Sequence, residues 1–114
     1  MTMPDRLLPD SANTRKLVNQ LTEQLRGLTE PNCEIRLKRA RPWASITFSG
    51  TRYLFQIDCV SNIRERVRKK LEEFLPEHEF DLTGHFVADA QVKAASDQAD
   101  HIRIEILTIT DPVI

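Results

Sequence analysis

Apolar residues recur along this 114-residue chain with two periods, and each predicts a different kind of element. Leu17, Leu21, Leu25 and Leu28 fall at i, i+4, i+8 and i+11 with Val18 beside them, one stripe down the side of a helix. Ser11 or Asn13 stands where an N-cap belongs, and Gly27 lies near the expected end. Ile63, Val67, Leu71, Phe74 and Leu75 form a second helical stripe. Asn62 followed three residues later by Glu65 fits a capping pair, and Pro76 stops that helix because it can neither donate nor fit inside the next turn.

Between the helices the period drops to two. In "CEIRLKR" (33–39) Ile35 and Leu37 share a face, in "WASITFS" (43–49) Ala44, Ile46 and Phe48 do, and in "RYLFQIDC" (52–59) Tyr53, Phe55, Ile57 and Cys59 do. Gly50-Thr51 suits a two-residue type II′ turn, which would pair Phe48 with Tyr53, Ile46 with Phe55 and Ala44 with Ile57. "ARP" (40–42) supplies the other bend. After the second helix Phe80, Leu82, Phe86, Ala88, Ala90 and Val92 alternate with polar residues, "AASDQAD" turns the chain, and Ile102, Ile104 and Ile106 alternate back. One straight strand over 79–93 would be roughly 45–50 Å long. A bend is therefore expected at Gly84, and a break of phase at "ILTI" (106–109), where alternation ceases.

The resulting order is α-β-β-β-α-β-β, an α+β class with an antiparallel sheet and both helices packed on one face. Residues 1–10, with Pro4 and Pro9, read as a flexible N-terminal arm, and 11–114 as a single domain. This element order is similar to that of the type III secretion chaperones, without their closing helix. The resemblance is confined to the order of elements, and it adds a secretion-chaperone-like role to the possible functions.

Composition adds limits. Apolar residues at 40% and charged residues at 29% describe a globular chain. No apolar run approaches the length of a membrane span, and the start has no signal-peptide pattern. Cys33 and Cys59 do not make a disulfide framework, so the expected compartment is the cytoplasm. In a three-stranded meander they would stand at opposite ends, roughly 20 Å apart, each a small core residue.

Charge changes the picture more. Residues 34–70 hold ten Lys/Arg against three Asp/Glu, and residues 71–114 hold two against ten. The basic middle can bind an anionic partner, or the acidic end can fold beside it and neutralise it. "RLKRARPW" (36–43) concentrates the positive charge beside the one Trp. Strand alternation places Arg36 and Lys38 with Trp43, Ser45, Thr47, Arg52, Leu54 and Gln56 on the outer sheet face. It places Arg39 and Arg41 in phase with the inner face but past its apolar end. A basic sheet face bearing an aromatic can hold single-stranded nucleic acid by phosphate contacts and stacking, although such faces usually show two or three aromatics. Trp43 could equally cover aliphatic stems at the sheet edge. Arg64 and Arg66, at the start of the second helix, could hold a phosphate or carboxylate, or an internal carboxylate such as Asp89 or Asp58.

Catalytic chemistry finds no footing. Glu77, His78, Glu79, Asp81 and His85 cluster in sequence, but on a strand Asp81 and His85 stand about 13 Å apart, and the cluster reads as a solvated strand face. No phosphate loop, Cys/His metal spacing or nucleophile elbow occurs, so no catalytic residue, metal or cofactor is assigned. The chain reads as a small interaction or adaptor protein, binding a protein partner through an open sheet face or the C-terminal hairpin, with a homodimer possible. The apolar surplus in Ile102, Ile104, Ile106, Leu107, Ile109, Val113 and Ile114 could fill its own core or a dimer interface. The alternative is a nucleic-acid-binding module using Arg36, Lys38, Arg39, Arg41, Trp43, Arg52 and the basic start of the second helix, Arg64 and Arg66.

Overall fold

The structure, a computed structural model, describes residues 12–93 and 100–110. The N-terminal arm, the cap at Ser11, most of the turn at 94–100, and Val113 and Ile114 lie outside the described residues. The elements are α1 (Ala12–Arg26), β1 (Glu34–Ala44), β2 (Ser49–Asp58), α2 (Ser61–Phe74), β3 (His85–Val92) and β4 (Ile102–Thr110), with one 3₁₀ turn at Leu75–Glu77. The class is the expected α+β, with an antiparallel four-stranded sheet in order β1-β2-β4-β3.

The expected strand count was three before α2, and the chain makes two. β1 runs straight through Arg41-Pro42, where a bend was expected. It is an edge strand, and proline's missing N–H is tolerated at a sheet edge. The reversal comes later, at Ser45–Phe48, closed by the Ser45 N–H donating to the Phe48 carbonyl at 2.8 Å and the Phe48 N–H donating to Ser45 Oγ at 3.1 Å. Ile46 is therefore fully exposed at a turn and Phe48 is also exposed, neither lying in the core. The expected pairs with Phe48, Ile46 and Ala44 do not form; Tyr53 opposes Ala40, Phe55 opposes Leu37 and Ile57 opposes Ile35. Gly50 is not a turn residue. It sits inside β2 opposite Ile109, and a Cβ there would lie 1.9 Å from the Thr108 carbonyl oxygen. The glycine permits close approach of two strands instead of a tight turn. With one strand fewer, the element order differs from the one that resembled the secretion chaperones.

The same correction moves the cysteines. Because β1 and β2 are direct neighbours, Glu34 opposes Asp58, and Cys33 and Cys59 flank that pair at the same end of the sheet. Both are buried and free. The 20 Å separation held only for a three-stranded meander.

The inner face carries Ile35, Leu37 and Ala40 from β1, Tyr53, Phe55 and Ile57 from β2, Ile102, Ile104 and Ile106 from β4, and Ala90 and Val92 from β3. These join Leu17, Leu21 and Leu25 of α1 and Ile63, Val67 and Leu71 of α2 in one core, so both helices lie on this face. Val18 and Leu28 pack at its margin. Of the expected α2 stripe Phe74 is exposed, while Leu75 is buried in the core as expected. Asn62 does not cap α2; Val60 occupies the cap position with no side-chain bond.

The long strand expected over 79–93 shortens to β3, and the bend falls at Gly84, whose φ of 75° favours glycine. The segment ahead of it has no strand neighbour, and α1 supplies one. Gln24 donates to the Asp81 carbonyl and accepts from its N–H, both at 2.8 Å. Gln20, one turn earlier, accepts from the Thr83 N–H at 3.2 Å and donates to Thr83 Oγ1 at 3.0 Å. Two amide side chains thus stand in for a missing strand's donors and acceptors. At 106–109 the strand continues unbroken and Ile106, Leu107, Thr108 and Ile109 are all buried, Ile106 and Thr108 on the inner face and Leu107 and Ile109 on the outer, low among their neighbours in the sheet.

Candidate functional site

The outer face of the sheet is set by two bulges. Lys38 is the extra residue between Leu37, opposite Phe55, and Arg39, opposite Leu54. A bulge shifts side-chain phase by one position. Arg39 and Arg41, which simple alternation puts in phase with the inner face, therefore fall on the outer face together with Arg36 and with Trp43, which was expected there. A second bulge at Ala88 does the same for Phe86 in β3.

Reading across the register gives a grid of rows. Arg36 aligns with Gln56 and Arg103; Arg39 with Leu54, Glu105 and Gln91; Arg41 with Arg52, Leu107 and Asp89; Trp43 with Gly50, Ile109 and Phe86. Neighbouring strands are about 4.8 Å apart, so each row is a line of side chains within reach of the next. Among the described residues both helices lie on the opposite face, and the β3–β4 hairpin extends the sheet instead of covering it. Half of the acidic residues of the last third, Glu72, Glu73, Glu77, Glu79 and Asp81, belong to α2 and the segment that links it to β3.

Internal pairs answer part of the positive charge. Arg36 reaches Asp58 at 2.6 Å, and Arg52 reaches Glu105 at 3.3 Å, which Lys93 also approaches at 3.6 Å. Lys38, Arg39, Arg41 and Arg103 form no ion pair among the described residues. Arg39, Arg41, Arg52, Tyr53, Leu54 and Glu105 line a hollow of about 50 Å³. Trp43, half-buried, lies one row away, and Phe86 is exposed at the far end of the Trp43 row.

Of the residues singled out from sequence, Arg36, Arg39, Arg41, Trp43 and Arg52 are brought together, with Lys38 exposed at the bulge beside them. Arg64 and Arg66 are not, because α2 lies in the other layer. Arg66 makes a two-pronged pair with Glu30, both contacts at 2.7 Å, and this guanidinium holds the Glu30 carboxyl below its usual value. Neither Asp58 nor Asp89 supplies that carboxylate. Arg64 keeps a buried Nε without a hydrogen-bond partner among the described residues. Arg68 is held by Glu65 and, at 2.7 Å, by Glu72.

The histidine cluster separates. His78 stacks edge-on against Phe80 with ring centres 4.5 Å apart, and His85 Nδ1 lies 3.0 Å from the Thr83 carbonyl oxygen. Among the described residues no three His, Cys, Asp or Glu side chains are placed to share a metal ion. Phe86, Arg103, Glu105 and Asp89 belong to the outer face and were not recognised there, since only the β2–β4 and β3–β4 registers align them with β1.

No protein-family model matches the chain, and no curated protein or solved structure matches it. No helix among the described residues is long and apolar enough to cross a membrane.

Proposed function

We propose that this is a small non-catalytic interaction protein that docks an acidic segment of a partner protein on the outer face of its sheet. The observation that carries this reading is the Lys38 bulge, which turns Arg39 and Arg41, unpaired among the described residues, onto an open face beside Trp43 and Leu54. Such a surface offers cations over an apolar floor. A protein segment can set a carboxylate over Arg39 and Arg41 and an apolar side chain over Leu54 and Trp43. We place the protein in the cytoplasm on its two free thiols.

Single-stranded nucleic acid is the second reading, favoured by one feature: three arginines surround one hollow next to a tryptophan, a pairing of phosphate contacts with a stacking surface. Against it stand Glu105 and Asp89 on the same face, because a phosphate chain carries charge at every step and would pass over them. The test uses the full chain, an Arg39→Glu/Arg41→Glu double variant and a Lys69→Glu control on α2. Affinity capture identifies candidates, and binding is then reconstituted with the purified partner. The reading expects affinity to fall about tenfold or more in the double variant and to hold in the control. A partner that binds the double variant unchanged overturns it. Single-stranded RNA and DNA are titrated in parallel at about 50 mM salt. Binding that weakens steeply with salt and vanishes in the double variant selects the second reading, and no binding at that salt removes it.

A further inference from the structure

We propose that Cys33 and Cys59 form an oxidation site, a dithiol that a peroxide converts to a disulfide joining the start of β1 to the end of β2. The pair lies at the end of the sheet remote from Trp43, and this inference does not depend on the docking reading.

The geometry is that of a cross-strand pair. Glu34 opposes Asp58 as the last pair of the ladder, and Cys33 and Cys59 are the next residues outward along the two chains. The Cys33 N–H donates to the Glu30 carbonyl at 2.9 Å and not across to β2. Opposed residues that exchange no backbone bonds have Cα atoms about 4.5 Å apart, inside the window of roughly 4.4–6.8 Å that a disulfide spans. Both side chains are buried in the same core. The turn ahead of Cys33 is tied to α2, which begins two residues after Cys59, by the two-pronged Arg66–Glu30 pair. Among the described residues no third His, Cys, Asp or Glu joins them for a metal, which leaves thiol chemistry to the pair.

The step balances with a peroxide as the oxidant. Burial and the neighbouring Cys33 sulfur hold the Cys59 thiol protonated, pushed up to about 12. One sulfur of the pair, as its thiolate, bonds to one peroxide oxygen as the O–O bond breaks and the other oxygen leaves as water after taking a proton. The second sulfur then displaces the hydroxyl from that sulfenic acid, its proton leaving with the oxygen as a second water. Two thiols lose two electrons and two protons, and one peroxide becomes two waters. Exposures of only 6% at Cys33 and 9% at Cys59 favour a small oxidant over a bulky disulfide.

The experiment treats the reduced, folded full chain with hydrogen peroxide, blocks remaining thiols with a maleimide and measures the intact mass without reductant. The expected result is loss of both reactive thiols together, a mass about 2 Da below the reduced chain, a peptide cross-link between Cys33 and Cys59, and full reversal by dithiothreitol. Cys33→Ala and Cys59→Ala should each abolish the internal cross-link. The wild-type measurement stands alone if a variant fails to fold. Peroxide-treated wild-type chain that still takes two maleimides, a cross-link only between chains, or one that forms only after denaturation would each overturn the proposal.

Discussion

Replacing Gly50 by alanine should be among the most damaging single-methyl additions in this protein. The added Cβ would lie 1.9 Å from the Thr108 carbonyl oxygen and 2.9 Å from both the Thr108 carbonyl carbon and the Ile109 Cα, where real Cβ contacts begin near 3.0 Å. These are backbone atoms and cannot swing aside. β2 and β4 would have to part locally by about 1 Å, which takes ladder hydrogen bonds beyond useful length. Losing about two such bonds costs roughly 1 kcal/mol each, and disturbing the packing of buried Thr108 and Ile109 adds about 1 kcal/mol, the low end for overpacking by one methyl group. The expected loss is about 3 kcal/mol, a large share of the ~5–15 kcal/mol that holds a domain of this size. In urea, with a slope of about 1–1.5 kcal/mol/M, the midpoint should fall by about 2–3 M, read in parallel by Trp43 fluorescence and far-UV circular dichroism. Gly27→Ala is the control: its Cβ would meet only the Gln24 carbonyl oxygen, at an ordinary 3.5 Å, and should stay within about 0.5 kcal/mol of wild type. Were Gly50 instead the first residue of a tight turn, alanine there would cost only about 1 kcal/mol. A midpoint within about 0.5 M of wild type would refute the close approach of β2 and β4 at this point.

Two other expectations follow from specific contacts. Gln20→Ala and Gln24→Ala remove the stand-ins for strand pairing at 81–83, so the Asp81 and Thr83 amides should exchange with solvent markedly faster while stability falls by about 1 kcal/mol per variant; unchanged protection at those amides would contradict the bracing role. At alkaline pH the folded chain holds the Cys59 proton to about 12, whereas the unfolded chain releases it near the ordinary value of 9.0, so stability is full below 9.0 and declines as pH rises through that interval. Burial raises Tyr53 in the same direction, so the urea midpoint should fall from neutral to alkaline pH and fall less in Cys59→Ala; parallel curves for the two proteins would show that the thiol's burial contributes nothing.

Much of the fold was legible in residue spacing. The buried stripe of α1 at Leu17, Leu21 and Leu25, that of α2 at Ile63, Val67 and Leu71, and the alternation of Ile102, Ile104 and Ile106 all reappear, since burying one face of an element leaves a strong periodic trace. The bend at Gly84 was readable because few residues other than glycine adopt a positive φ. The region 40–50 misled for a physical reason. Gly50-Thr51 carries the residue preference of a turn, but a glycine preference also arises where two backbones touch, and local sequence does not separate the two. Ser45–Phe48 turns through its own serine, a weaker signal than glycine. The alternation of Ala44, Ile46 and Phe48 matched a buried strand face by coincidence.

The candidate site depended on the same region. Its chemistry was visible in "RLKRARPW", an excess of cations around one indole. Its geometry was not, because one bulged residue at Lys38 reverses the face of everything after it, and a bulge forms to satisfy pairing with another strand. Alternation within β1 divided Arg36 from Arg39 and Arg41; the register against β2 joins them. Element type and core stripes come from local periodicity, which a chain of residues carries in its own order. Register, the bulges, the meeting of Cys33 with Cys59 and the grouping of five cationic and aromatic side chains on one face come from pairing between distant segments. That pairing is settled by which arrangement buries Tyr53, Phe55 and Ile57 against both neighbouring strands at once.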